Sequence, residues 1–301
     1  MTIDRARVLR DLIDGDDLVI APGVYDGLTA TLVEHAGFPA AYVSGASASI
    51  SLLGRPDIGL MTAGEVAGQV FRLRGATSLP LIVDIDTGYG NELNVRHTIE
   101  TYVRLGAAAV HIEDQVFPKR CGHLAGKTVV DADQAVAKVR AAVAARGSEE
   151  LVIIARTDAL TPLGLDEAID RGRRFADAGA DMVFVEAPED VRQLERIARS
   201  IDVPLVVNVL ANSRTPVLKS SDYSELGYRL AIYPIMNIAA VTAVVGSALA
   251  GLRETGLPPQ DAMGPAELFG VVGLDDWLRW PDRLGLVPPS SPAHAGKGSA
   301  V

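Results

Sequence analysis

Apolar positions along this chain follow two alternating rhythms. Dense short runs at 18–21, 41–44, 81–86, 109–113, 151–157, 182–186, 205–209 and 230–233 read as buried strands. Between them, apolar residues three and four apart, as at 95–105, 132–145, 165–178 and 191–201, read as helices. The phrases RLGAAAV, DAGADMV and EHAGFPAAYV each end a helix on glycine and enter a strand at once, as tight αβ connections require. Eight alternations without a domain-sized break predict an α/β protein, a (β/α)8 TIM barrel. A doubly wound open sheet is the alternative, but no GxGxxG follows the first strand. Polar residues also recur at the carboxyl ends of the strands: Ser44, Asp84, Asp86, Glu113, Asp114, Arg156, Asp158, Glu186 and Asn208. A barrel brings those ends to one mouth.

Beyond the eighth strand, residues 238–254 read as a long apolar helix, and 265–284 carry Leu268, Phe269, Trp277 and Trp280. Apolar area in excess of a complete barrel predicts a C-terminal helical extension that packs on its own barrel or on a neighbouring subunit. The expected organisation is one domain over 1–287, followed by a disordered tail at 288–301.

Composition narrows the function. A formal net charge of −10, with no basic tract, argues against nucleic acid as a partner. A small anionic substrate stays possible, because a metal and a few cations can dominate a cleft locally. One cysteine excludes an intrachain disulfide and fits a reducing compartment. The polar N-terminus lacks the apolar core of a signal peptide, and no uninterrupted apolar run is long enough for a bilayer span. No membrane association and a cytoplasmic location are the expectation.

The chemistry concentrates at two strand ends. His111-Ile112-Glu113-Asp114 leads into a loop with Lys119, Arg120, Cys121 and His123. Nearby positive charge favours a thiolate, so Cys121 is expected to be catalytic with a lowered pKa; the alternative is a buried spectator. Asp84-Ile85-Asp86 closes the third strand, and period-two alternation aims both acids the same way. Paired carboxylates call for a cation, and oxygen ligands suit Mg2+, with Mn2+ also fitting. Glu113 completes that cluster; helix capping or pairing with Arg156 is the other reading of these acids. Ser44-Gly45-Ala46 offers backbone N–H groups to an anion, or is a plain turn. Arg156 is shaped for bidentate recognition of a carboxylate or phosphonate, unless Asp158 or Glu186 already pairs it. His35, His97 and His294 are expected to be structural or solvated, and His111 to lie away from the mouth.

The segments DIDTGYGN at 84–91, Glu113-Asp114 and above all KRCGHLAGK at 119–127 resemble the isocitrate lyase/phosphoenolpyruvate mutase superfamily. APGVYDGLTA at 21–30, LGRPD at 53–57, IARTD at 154–158 and Tyr233-Pro234 support the resemblance, which spans roughly 19–284. It implies a barrel whose eighth helix is exchanged between subunits of a homodimer or homotetramer. It implies Mg2+ near Asp84, Asp86 and Glu113, with Asp57 acting through water. A 2-oxo acid or enolate product would meet the Ser44–Ala46 backbone and Arg156, with Gly122, His123, Glu186 and Asn208 in the substrate site. The Cys121 loop, with Lys119, would close over it. Members with a cysteine there are mostly carbon–carbon lyases of 2-methylisocitrate, isocitrate or 2,3-dimethylmalate; others hydrolyse oxaloacetate or are carboxyphosphonoenolpyruvate phosphonomutases.

In such a lyase Cys121 protonates the departing carboxylate enolate, and Tyr42 is the candidate base for the hydroxyl. Tricarboxylate lyases carry Asn-x-Thr-Glu after strand seven and an arginine after the Tyr-Pro of strand eight. This chain has Asn208-Val209-Leu210-Ala211 and Ile235-Met236-Asn237 instead. A methylated malate-type diacid is therefore favoured, and Asn208 with Arg214-Thr215-Pro216 resembles the dimethylmalate-lyase branch. A catalytically silent barrel that binds a 2-oxo acid is disfavoured, since a pure binder needs no thiol in its gate.

Overall fold

Eight parallel strands pair in sequence order and close on themselves, the last against the first, in a computed structural model describing residues 4–284. They are β1 (Val19–Val24), β2 (Ala41–Val43), β3 (Leu81–Asp84), β4 (Ala109–Glu113), β5 (Val152–Thr157), β6 (Met182–Val185), β7 (Leu205–Asn208) and β8 (Tyr228–Tyr233). The predicted strands are all present, with ends shifted by a few residues. The 81–86 run stops at Asp84 because Asp86 takes a left-handed φ of 48°, and Ser44 leaves β2 to cap a short helix.

Alternation along each strand sorts the side chains into two sets. Ala41, Val43, Leu81, Val83, Val110 and Ile112 face outward and pack with the surrounding helices. Tyr42, Ile82, Ala109, Ile154, Phe184 and Val206 fill the barrel interior. The next inward positions towards the carboxyl ends are polar: Asp84 above Ile82, Glu113 above His111, Arg156 above Ile154, Glu186 above Phe184, Asn208 above Val206. One parity rule thus makes an apolar plug below and a charged layer at the mouth. Strand register brings the layer together, pairing Asp84 with His111 and Glu113 with Arg156. Side-chain caps start the helices on the far side of the connecting loops: Asn91 for Glu92–Arg104, Asp131 for Ala132–Arg146 and Asp190 for Val191–Ala198.

By its contacts the chain divides into two compact units, one ending at Ala250 and one beginning at Gly251. The division falls inside the helix Met236–Thr255, of which Ile238 is the one buried residue. The C-terminal unit contains short helices at Pro265–Val271, Leu274–Leu278 and Trp280–Arg283, with no buried residue in any of them. The tail at 288–301, with His294, lies outside the described residues.

Met236–Thr255 is the element to set beside the membrane argument. Thr, Ser and Gly interrupt its apolar run, yet it is long and apolar enough to cross a bilayer by length and composition. It is the only such helix among the described residues.

Candidate active site

The strand ends and the 119–123 loop enclose one cavity. Tyr42, Ser44, Ala46, Asp57, Asp84, Glu113, Lys119, Cys121, Gly122, His123, Arg156, Glu186 and Asn208 all line it. Every site residue expected from the sequence is there except Asp86, which contacts the lining residue Lys119, and Gly45, which sits against Asp84. The cavity measures about 60 Å³.

Asp84 and Asp86 converge, though not by strand alternation: the kink at Asp86 turns its N–H onto Asp84 Oδ1 at 3.0 Å. Gly45 sits against both acids; a Cβ there would lie 3.0 Å from Asp84 Oδ2 and 3.6 Å from Asp86 Oδ1. Burial, with the neighbouring Asp84 and Asp57 charges, pushes the Asp86 carboxyl up to about 6 against the pull of Lys119. Lys119 Nζ lies 2.5 Å from Asp57 Oδ1 and 2.8 Å from Asp86 Oδ1. Burial opposes its charge, but Asp86, Glu113 and Asp57 outweigh that and hold it well above an ordinary lysine. Although close to Lys119, Asp86 Oδ1 has no hydrogen-bond geometry to any donor. Glu113, raised chiefly by burial, completes a rim of acids. These hard oxygens, crowded and incompletely paired, fit a divalent cation. No three acidic, histidine or cysteine groups among the described residues meet at one point, so an ion would take one or two carboxylates directly and the rest through water.

Arg156 is partly committed. Its Nε and Nη2 donate to Asp158 at 2.8 and 3.0 Å, while Nη1 faces Glu113 Oε2 at 3.5 Å. The guanidinium lies over Phe184, 5.1 Å from the ring centre. Asp158 in turn holds Lys127 at 2.8 Å. Bidentate pairing through Nε and Nη2 is thus spent on Asp158, and Nη1 stands outside it.

Three expectations change. Cys121 is not a low-pKa thiol: burial pushes it up, Asp57 and Glu186 add to this, and Arg156 with the His123 N–H opposes. The loop cations are engaged elsewhere, Lys119 on acids and Arg120 Nη1 on the Ala125 carbonyl at 3.1 Å. His111 is not remote from the mouth; its Nδ1 is 2.9 Å from the Tyr42 hydroxyl and 3.6 Å from Asp84 Oδ1. Burial lowers it to about 4, so the imidazole is neutral. Tyr42, raised well above 10 by burial and the nearby Asp84 charge, is a neutral phenol held by His111, not a resting base. Arg214 does not reach the cavity; it pairs with Glu189 at the surface.

Glu186 receives His123 Nε2 at 3.0 Å and Asn208 Nδ2 at 3.2 Å. Burial would raise its pKa, but Arg156 and His123 outweigh it and keep the carboxylate charged. Gly122 packs so closely here that a Cβ would collide with Arg156 and Glu186. Sequence reasoning missed Gln115 and the apolar wall of Leu210, Ile232, Pro234 and Ile235. Gln115 was readable as the residue after the acidic pair; the wall was not, since its members come from two strand ends.

A profile of the phosphoenolpyruvate phosphomutase family matches residues 9–253. The chain belongs to that family. A 2,3-dimethylmalate lyase of Eubacterium barkeri is 40% identical over 91% of this chain and 96% of its own. A 2-methylisocitrate lyase of Aeropyrum pernix is 40% identical over 90% of this chain and 88% of its own. A chloroplastic carboxyvinyl-carboxyphosphonate phosphorylmutase of Arabidopsis thaliana is 37% identical over 89% and 81%. Among solved structures, 2,3-dimethylmalate lyase, described as a PEP mutase/isocitrate lyase superfamily member, superposes with a TM-score of 0.91 at 38% identity, covering 95% of this chain and 97% of that one. Oxaloacetate acetylhydrolase with 3,3-difluorooxalacetate also reaches 0.91, at 35% identity over 95% and 99%. Phosphonopyruvate hydrolase in complex with oxalate and Mg++ reaches 0.84, at 29% over 93% and 99%. A divalent metal ion is thus present in a solved relative.

Proposed function

We propose that this protein is a Mg2+-dependent carbon–carbon lyase of a small 2-hydroxy diacid of the 2,3-dimethylmalate type, with Mn2+ able to replace Mg2+. The observation that carries this reading is the polarity of the cavity. Asp84, Glu113, Arg156 and Glu186 come from the ends of β3–β6, Leu210, Ile232, Pro234 and Ile235 from the ends of β7 and β8, and Cys121 lines the same space. An apolar wall accepts an alkyl substituent and would leave a third carboxylate unpaired. That favours a methylated malate over the tricarboxylate 2-methylisocitrate.

Asp84 and Asp86, with Glu113 and Asp57 through water, would hold the cation; when bound it supplies Lewis-acid stabilisation to the oxygen that becomes the keto group. Arg156 Nη1 and the first N–H groups after Ser44 position the substrate carboxylate at C1. As the hydroxyl proton leaves to a base, the C2–C3 electron pair moves onto C3, and Cys121 delivers its proton there. The products are a 2-oxo acid and a carboxylate, pyruvate and propionate for 2,3-dimethylmalate. A thiol kept protonated by its surroundings suits a general acid better than a thiolate would. Lys119 offsets the acidic rim and carries the loop with it.

The test is release of 2-oxo acid from 2,3-dimethylmalate, 2-methylisocitrate and oxaloacetate, with Mg2+ and after EDTA. Turnover of the dimethylated diacid alone supports the proposal. Preference for 2-methylisocitrate overturns the substrate, and hydrolysis of oxaloacetate or a new P–C resonance from carboxyphosphonoenolpyruvate overturns the reaction.

A homodimer or homotetramer belongs to the same proposal, supported by Val241, Val244, Val245 and Leu249, which stand exposed on Met236–Thr255. A cytoplasmic location is supported by the need to keep Cys121 reduced.

A further inference from the structure

The loop bearing Cys121 hangs from a side chain outside the proposed chemistry. Gln115, two residues past Glu113, is buried at 1% exposure. Its amide nitrogen donates to Glu113 Oε1 at 2.9 Å and to the Arg120 carbonyl at 2.7 Å. Its oxygen accepts the Arg120 N–H at 3.0 Å. Both amide hydrogens and the oxygen are used, two of the three bonds on the main chain just before Cys121.

Gln115 itself is fixed independently of the loop tip. It bridges Val129, Val116 N–H donates to the Thr128 carbonyl at 2.9 Å, and Val130 N–H donates to the Asp114 carbonyl at 2.9 Å. The stems of the loop are therefore pinned as a short antiparallel pair, while the segment around Cys121 is held from the side. The cavity is small, about 60 Å³, and Lys119, Arg120, Cys121, Gly122 and His123 all line it. Any movement of that segment away from the cavity parts the Arg120 main chain from Gln115.

We propose that Gln115 is the latch of this loop, a positioning residue whose amide holds the Cys121 segment shut and ties the closed state to Glu113. The residue type follows from the contacts. A carboxylate would face Glu113 with like charge, and an apolar isostere would leave the Arg120 N–H and carbonyl unpartnered in a buried place. The contacts are to main chain, so the Arg120 side chain is free to clamp the Ala125 carbonyl instead. The inference rests on the lyase reading in one respect only, that Cys121 must be presented by a loop that opens and closes.

The single cysteine makes the loop directly measurable. Iodoacetamide alkylation of the full-length protein, followed across the thiol titration, separates access (the plateau rate) from ionisation (the midpoint). Gln115→Met should raise the plateau about tenfold or more, since bonds made only by the closed loop are lost. Gln115→Glu, equal in shape but without the donor, should do the same and decides the question if the first variant does not fold. Val136→Ala, a buried truncation on the helix Ala132–Arg146, controls for general destabilisation and should lower the melting temperature with an unchanged plateau. An unchanged plateau in a folded Gln115 variant, or an equal rise in Val136→Ala, overturns the latch. Alkylation needs no turnover, so failure to cleave any acid tested would sink the lyase reading and leave this one standing.

Discussion

Cys121 is where residue identity and surroundings diverge most. Seen beside Lys119, Arg120 and His123 in the sequence, it looks like a thiolate; in the fold each of those side chains faces another partner, and burial dominates. A protonated thiol at the mouth is a proton donor. Cys121→Ser should therefore lower turnover by about 10²–10⁴-fold, while calorimetry shows oxalate binding retained. The pH sign follows from the raised pKa. Stability linked to the thiol is complete below its unfolded value and is lost as pH rises through the folded one. The melting temperature of the wild type should fall more steeply above pH 9 than that of Cys121→Ser. Equal alkaline slopes would contradict the buried, neutral thiol.

At the scale of elements, β3, β5, β6 and β7 each set one polar inward residue above an apolar one, β4 sets Glu113 above His111, and neighbouring strands align these into a partial ring. Such a ring is balanced as a whole. Asp158, fully buried at the end of β5, holds both Arg156 and Lys127, the second of which closes the Cys121 loop. Those two cations keep its carboxyl well below the usual range despite burial. Asp158→Asn removes the shared anion and leaves two buried cations poorly paired, which costs about 3–5 kcal/mol. Urea unfolding should show that loss; a loss below 1 kcal/mol would mean the ring is not coupled. The inward parity of these residues was legible in the sequence as polar residues ending apolar runs. Their pairing was not, because Asp158 and Lys127 are brought together by the return of the loop.

For the whole molecule, cation binding and assembly are the properties to measure. Mg2+ at a hundredfold excess over its Kd should stabilise the fold by roughly 2.7 kcal/mol, and Asp84→Asn or Asp86→Asn should abolish the effect. Asp86, raised to about 6, adds stability to the metal-free protein at low pH and loses it as pH climbs through that value. Proton and cation compete for the same carboxylate, so Mg2+ stabilisation should shrink as pH falls through about 6. A thermal shift independent of pH would argue for a site elsewhere. Sedimentation should find a dimer or tetramer, and Val244→Glu with Leu249→Glu, both on the exposed face of Met236–Thr255, should dissociate it. A monomeric wild type would remove that proposal.

The sequence alone determined the barrel, because hydrophobic periodicity and glycine-capped helix ends are local properties that survive without coordinates. It also determined the cast of the site, since strand-terminal acids, Arg156 and the 119–123 loop are contiguous motifs whose parity follows from a two-residue repeat. Tertiary structure alone decided which charges are already paired, that Tyr42 and His111 form a neutral couple beneath Asp84, and that Gln115 reaches back to Arg120. It also decided that Leu210, Ile232, Pro234 and Ile235 form one apolar wall. These depend on distances between residues remote in the chain and on how far water is excluded from them, and neither is written in the order of the amino acids.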